Sequence, residues 1–399
     1  MCPSSKTVVP MKLSGALDGV ETVEITPDLG TEFPSLDLAE VLRRPNSDEL
    51  IRDLAITICR RGVVAFRAQN NLTNELQKEL LQRLGVLSGK PAGHGLSKHP
   101  MHIIRKDDPE IFLLDAAVQR ATHEGNFGKK RQKGLREWHT DGSYEVCPPD
   151  FTSLRMTEVP ATGGDTLFAS GYELYDRLSE PYQRFFESLN AVHYVPPLEK
   201  AANTMPDVYR GPRGCPENVH MDFKQTHASI SPVVRTHPVT GWKSLFAGGL
   251  HTRAIEGVTE NEGQEIIDKI SRLIVDNHDL QARVRWINPN DFVIWDNRCV
   301  FHCPTQDLDR QGRRLGYRCI SVAEKPFLDP NSKSRWQAME EEEAEEAARQ
   351  KAAAAASAAS AASAASAASA ASAASAASAA VSPPAGPAME AAPMVSAQA

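Results

Sequence analysis

The sequence predicts a mainly β fold, a sandwich or barrel with helices held to one side, and three observations carry that expectation. Short apolar runs such as Val63-Val-Ala-Phe66, Thr152–Val159 and Asp291-Phe-Val-Ile-Trp295 recur between turns containing Gly and Pro, which is how the strands of a sandwich or barrel read. Helical periodicity is confined to a few separated segments, enough to cover a sheet but not to build a helical core. The third observation is a boundary. From Met339 the chain becomes Glu-rich, then alanine with serine at every third position from Ser357 to Ser378. Residues 1–337 therefore read as one folded domain with ample chain for a buried core, and 338–399 as a low-complexity tail, helical or disordered. A three-residue repeat precesses around a helix by roughly 60° per unit, so its serines spiral and leave no apolar stripe for docking. Alanine still favours helix locally.

Each element can be justified in order. Residues 1–45 are punctuated by Pro and Gly and predict edge structure. Asn46 or Ser47 caps a helix carrying Leu50, Ile51, Leu54 and Ile58, which ends at Gly62. Val63–Phe66 is a buried strand. Thr73 opens a second helix with a stripe of Leu76, Leu80, Leu81 and Leu84, which Gly85 should stop. Residues 88–137, rich in Gly, His and Lys with little periodicity, predict a lid or binding loop, and 196–230 a second long insertion. Thr152–Val159 and Asp165–Phe168 are strands about a Gly-Gly turn, and Ser170 and Ser179 begin short helices. Pro232–Arg235 and Ser244–Phe246 flank a hairpin turn at Thr240-Gly241. Thr259-Glu-Asn-Glu262 is a capping box for a helix through Ile266, Ile267, Ile270 and Ile274. Val284–Trp286, Asp291–Trp295 and Arg313–Val322 close the strand pattern.

Charge and composition exclude some functions. The net charge is −7, part of it from the acidic run at 340–346, so nothing suggests a face for nucleic acid. The short basic cluster Lys129–Lys133 reads either as a solvated loop or as an attractor of anionic substrates. Seven cysteines without paired spacing, in a chain whose start lacks an apolar leader, argue for reduced thiols. Cys299 and Cys303 flank His302 closely, but no second pair at finger-like spacing accompanies them. No apolar run makes a convincing membrane span, and the expectation is a soluble cytoplasmic protein.

The chemistry gathers at Trp138-His139-Thr140-Asp141. On an extended segment, positions i and i+2 share a face, so His139 and Asp141 can offer an imidazole nitrogen and a carboxylate oxygen to one metal ion. A second histidine would complete the two-His, one-carboxylate set of non-haem Fe(II) oxygenases, which leaves positions open for substrate and oxygen. His302, following the strand-like run to Trp295-Asp-Asn, is the candidate; taken alone, a histidine near a strand end is more often a structural residue. Arg314 and Arg318 lie at i and i+4 on the next strand and predict a shared face. A guanidinium fork suits two-point capture of a carboxylate. Most loop histidines are simply solvated, and this holds for His94, His99, His102 and His123 until something else marks one.

Together these residues carry a specific resemblance. The motif Trp138-His139-Thr-Asp141 with Pro148-Pro149 after it, Gly163-Gly164-Asp165-Thr166, Val233–Gly241, Trp295-Asp-Asn-Arg298 leading to His302, and the Arg314/Arg318 pair resemble the taurine dioxygenase family of Fe(II)- and 2-oxoglutarate-dependent dioxygenases over about residues 15–335. The resemblance implies a distorted double-stranded β-helix, or jelly roll, with iron at one open end. It implies His139, Asp141 and His302 as iron ligands and Arg314 with Thr166 as the grip on the distal carboxylate of 2-oxoglutarate. It implies Arg318 and His99 as binders of an acidic group on a small anionic substrate (a sulfonate, carboxylate or amino acid), although Arg318 can also be read as a brace for the strand.

With O2 as the other cosubstrate, the implied reaction gives succinate, CO2 and a ferryl species that abstracts hydrogen. Hydroxylation is the usual outcome, with C–N or C–S cleavage when the hydroxyl lands beside a heteroatom. Desaturation or ring formation in a specialised biosynthetic pathway is the alternative. Leu135, Gly142-Ser143-Tyr144 and Ala247-Gly248-Gly249 depart from the taurine enzymes, which weakens a transfer to taurine itself. Dimers or tetramers are compatible with the resemblance.

Overall fold

The apolar alternation of the sequence becomes sheet, and strand order shows what the helices cover. The computed structural model describes residues 8–100, 108–118, 137–195, 209, 211–218, 228–305, 307, 312–379 and Gly386. The basic cluster Lys129–Lys133, His102, His123, Leu135 and much of both long loops lie outside the described residues. The chain begins with β1 (Val23–Glu24), β2 (Thr31–Phe33), α1 (Leu38–Arg43), α2 (Ser47–Arg61), β3 (Val63–Phe66) and α3 (Asn74–Leu87). It continues through β4 (Phe112–Asp115), β5 (Pro149–Glu158), β6 (Thr166–Ser170), α4 (Gly171–Asp176), α5 (Glu180–Glu187), β7 (Asn190–Tyr194) and β8 (Ala228–Pro232). Then come β9 (Val234–Thr236), β10 (Lys243–Leu245), β11 (Thr252–Ile255), α6 (Glu260–Asp276), β12 (Gln281–Val284), β13 (Asp291–Asp296), β14 (Val300–Pro304), β15 (Leu315–Val322) and α7 (Arg335–Ala379).

Among the described residues, seven strands pair in the order β1-β2-β3-β13-β5-β15-β4. Two smaller sheets have the orders β12-β6-β14 and β11-β7-β8, and the predicted hairpin is β9–β10. The stripe of α2 and α3, including Leu54, Ile58, Leu80 and Leu84, packs on Phe66, Phe292 and Ile294 of the large sheet. On the other side, Ile266, Ile267, Ile270 and Ile274 of α6 bury against Ala169, Leu245 and Phe301. Each such fully buried aliphatic side chain contributes about 1.5–3 kcal/mol. The capping box holds: Thr259 Oγ1 accepts from Glu262 N, and the Glu262 carboxylate accepts from Thr259 N.

Three local expectations are corrected. Gly85 does not stop α3, which runs to Leu87; lacking a Cβ, Gly85 lets the helix lie against Ser321 and Asp150. The strand expected at Val284–Trp286 lies earlier, at β12, because Trp286 turns its indole to donate to Thr166 Oγ1 at 3.3 Å. The segment at His139 is no regular strand but a single antiparallel bridge to His302, entering a turn at Asp141.

By contact the chain divides into two compact units, Met1–Ala338 and Met339–Ala399. Helix α7 is continuous from Arg335 to Ala379, and every residue from Glu340 to Ser375 is exposed. Among the described residues no helix is long and apolar enough to cross a membrane.

Candidate active site

The single bridge at His139 is enough to aim it. His139 and His302 exchange backbone hydrogen bonds at 3.0 and 2.8 Å, so the two imidazoles stand 4.3 Å apart by ring centres. His139 Nδ1 lies 2.9 Å from Glu137 O. A carbonyl can only accept, so Nδ1 carries the proton and Nε2 keeps its lone pair for the interior. His302 is carried by β14 against Trp295 of β13, ring centres 4.9 Å apart. One Asp141 oxygen, Oδ1, faces both imidazoles, 3.9 Å from His139 Nε2 and 3.7 Å from His302 Nε2. One donor atom from each of these three residues falls within 4.8 Å of the other two, close enough to hold one metal ion.

The carboxylate is set from behind by the turn between β13 and β14. Asn297 Nδ2 donates to Thr152 Oγ1 at 2.8 Å, and the Thr152 hydroxyl donates to Asp141 Oδ2 at 3.1 Å. Asn297 Oδ1 accepts from Asp141 N and Trp295 Nε1, while Thr140 Oγ1 donates to Asn297 O at 2.6 Å. On the other flank the backbone at Gly249 comes so close that a Cβ there would meet Trp138 O at 1.7 Å, and Gly249 has φ +70. Leu250 N donates to the same Trp138 O, and the His251 ring lies 5.4 Å from that of His139.

Electrostatics keep this donor set ready for a cation. Burial lowers His139 and takes His302 down to about 3, so both imidazoles are neutral near pH 7. Burial opposes charge on Asp141, but Arg318 and the two histidines outweigh it and hold the carboxyl well below the ordinary range. Neutral nitrogens and an ionised oxygen are the ligand forms a divalent metal requires. The residues present therefore fit a mononuclear iron.

A pocket of about 250 Å³ opens beside Asp141, and Lys98, His99, Phe112, Tyr144, Arg213 and Arg318 are among its walls. Arg318 reaches Asp141 Oδ1 at 3.2 Å through NH1, and Arg213 is neutralised by buried Glu145. His99 stacks edge-on to Phe112 at 5.1 Å. Arg314 and Thr166 are not in this wall. Arg314 precedes β15 and donates from Nε to Gly164 O at 3.0 Å, while Arg318 lies beyond a register shift between Leu315 and Gly316. The shared face expected of the two arginines thus resolves into two neighbouring positions. Burial lowers Arg314 to about 10, with Asp165 opposing, a penalty that an anionic ligand would relieve. Sequence reasoning missed Lys98, Thr152, His251 and the Glu145–Arg213 pair; His and Lys alternation before Pro100 was the only available signal.

A second His–Asp pair sits deeper. His237 Nε2 is 2.9 Å from Asp296 Oδ2, and Arg298 grips both oxygens of Asp296, Nε to Oδ1 at 2.8 Å and NH2 to Oδ2 at 2.7 Å. Cys59 and Cys299 lie beside it. Cys303 instead joins the apolar cluster around α6, so it and Cys299 do not converge on His302.

Two imidazoles and one carboxylate around a common point, open on one side to a pocket, define the class of mononuclear non-haem iron oxygenases. The chain belongs to the taurine catabolism dioxygenase TauD, TfdA family, whose sequence pattern matches residues 21–320. It is 63% identical over 330 residues to the alpha-ketoglutarate-dependent dioxygenase oryG of Aspergillus oryzae, covering 83% of this chain and 96% of that one. It is 32% identical over 306 residues to an alpha-ketoglutarate-dependent sulfonate dioxygenase of Saccharomyces cerevisiae, covering 77% and 68% respectively. Its fold is that of a taurine dioxygenase crystal structure from Burkholderia xenovorans, with TM-score 0.58 at 22% identity over 78% of this chain and 92% of that one. The protein is an Fe(II)- and 2-oxoglutarate-dependent dioxygenase, with O2 as cosubstrate, acting on a small molecule.

Proposed function

We propose that His139, Asp141 and His302 hold the Fe(II), that Arg314 with Thr166 holds the distal carboxylate of 2-oxoglutarate, and that the enzyme oxidises a small anionic substrate placed by Arg318 and His99. The sheets then form the distorted double-stranded β-helix of the family, with the iron between the large sheet and β14. Fe(II) with 2-oxoglutarate and O2 supplies the oxidising chemistry, releasing succinate and CO2. The chain's own residues supply aim. Glu137 O and the Asn297–Thr152 relay fix the ligand atoms, buried Arg314 offers its guanidinium to a carboxylate, and Trp295 and Phe168 close the inner side against water.

The observation that carries the substrate class is the charge of the pocket. Lys98 and Arg318 both face it, and among the described residues the carboxylate that Arg318 meets is Asp141, which would share its charge with a metal, while the guanidinium lies over the Phe112 ring. The expected product is hydroxylated, with or without C–N or C–S cleavage. A screen of small carboxylates, sulfonates, sulfate esters and amino acids, read as succinate release, tests this. An acid should stimulate release and its neutral amide or ester should not. Arg318→Gln should lower kcat/KM for that acid by roughly 30-fold or more, the scale of a lost buried charge pair, with iron content retained. Equal stimulation by the neutral analogue would remove the anionic assignment. The alternative outcome on the same iron site is desaturation or ring formation. Product mass separates a gained oxygen from two lost hydrogens.

A further inference from the structure

Three stretches of chain that are remote in sequence meet at one edge of the pocket. His94 follows α3, Cys147 precedes β5, and Cys215 and Glu217 belong to residues 211–218. One donor atom from each lies within 4.8 Å of the others. His94 and both cysteines are buried, and Glu217 is about half exposed. The arrangement is directed as well as close. His94 Nδ1 sits 2.8 Å from Ala323 O and so must donate to it, which leaves the Nε2 lone pair facing the cluster, 3.5 Å from Glu217 Oε2. A tetrahedral zinc with its nitrogen and oxygen ligands about 2.0–2.1 Å away requires an N···O edge of about 3.4 Å.

The backbone around the cluster is built to hold it. Asn218 Oδ1 accepts from Cys147 N at 2.9 Å and Asn218 Nδ2 donates to Cys147 O at 2.8 Å. Gly95 N donates to Gly214 O at 2.6 Å. Gly214 has φ +93, and a Cβ there would meet Val322 Cγ2 at 2.4 Å. The same short segment supplies Arg213 and Asn218 to the pocket wall. Imidazole, two soft sulfurs and a hard carboxylate form a mixed donor set that the borderline-soft Zn(II) accepts, unlike the all nitrogen and oxygen set at His139, Asp141 and His302.

We propose that His94, Cys147, Cys215 and Glu217 form a second, structural metal site that takes Zn(II) and pins residues 211–218 as a wall of the substrate pocket. The site does not depend on which residues bind iron. Binding releases the cysteine protons to solvent and involves no change of oxidation state.

The test uses the full chain, purified under reductant, stripped of metal and titrated with Co(II) as the probe. The expected result is one equivalent that develops thiolate-to-cobalt charge-transfer absorption, displaced by one equivalent of Zn(II). The band should persist in His139→Ala, which separates this site from the iron site, and vanish when Cys147→Ser and Cys215→Ser are combined. Should that double variant fail to fold, native mass spectrometry of the unaltered chain decides, with one zinc per chain expected. Absence of a thiolate band in reduced protein, persistence of the band without both cysteines, or a Cys147–Cys215 disulfide in place of bound zinc would each overturn the proposal.

Discussion

Among the described residues, two places join a histidine to an aspartate, and they come to opposite ends. At His237 and Asp296 every acceptor is consumed: Arg298 takes one oxygen with Nε and the other with NH2, His237 takes the second as well, and neither His237 nor Asp296 has any exposed surface. At Asp141 one oxygen is fixed by Thr152, while the other meets a single Arg318 nitrogen at 3.2 Å and faces two neutral imidazoles and a pocket. Residue type therefore does not separate a structural pair from a metal site. What separates them is how completely the chain's own cation satisfies the carboxylate, since Arg298 takes both oxygens of Asp296 and Arg318 meets one of Asp141, and whether a ligand can reach it.

Exchanging the two aspartates is the sharpest way to break this comparison. Asp141→Asn should take succinate formation to background while costing less stability than the Asp296 change, since the Arg318 it leaves behind is 19% exposed and opens on the pocket. Asp296→Asn should leave the iron ligands in place but cost about 3–5 kcal/mol, because it strands the Arg298 charge in the core. Paired urea unfolding and succinate assays read both. Comparable stability losses in the two variants would erase the distinction.

A smaller effect concerns pH. Burial, with Arg298 nearby, lowers His237 to about 4 despite the opposing pull of Asp296. The folded value lies below the ordinary one of 6.5, so between them the unfolded chain binds more protons than the folded one. The contribution is full above about pH 6.5 and falls as pH drops towards 4, by roughly 3 kcal/mol in all. His237→Gln should flatten the urea midpoint across that window relative to the parent chain; parallel curves would show that His237 is not the group responsible. The smallest expected effect is none. Removing residues after Ala338 deletes the separate unit Met339–Ala399 and should leave succinate turnover within about two-fold, and a large loss would give the tail a role in catalysis.

How far the sequence could be read depended on the range of each contact. His139 and Asp141 were legible because i and i+2 geometry is local, and α2, β3 and the Thr259 capping box for the same reason. His302 needed the surrounding motif, since a lone histidine near a strand has no signature. The buried pair Glu145–Arg213, the approach of His251 to His139, and the convergence of His94, Cys147, Cys215 and Glu217 were invisible because tertiary packing alone brings them together. Cysteines that seemed scattered had no paired spacing to betray them. Cys299 and Cys303, the pair that did look suggestive, point into different parts of the core.

The contact between Gly249 and Trp138 O has a consequence for heredity. The position of His139 is gauged by bare backbone, with a clearance of one hydrogen atom. A metal ligand can sometimes be exchanged for a chemical relative, but this spacer has no relative among the amino acids. A lineage that keeps the enzyme active is therefore held to one codon family at a residue outside the pocket wall, and a change there would look like a lost ligand.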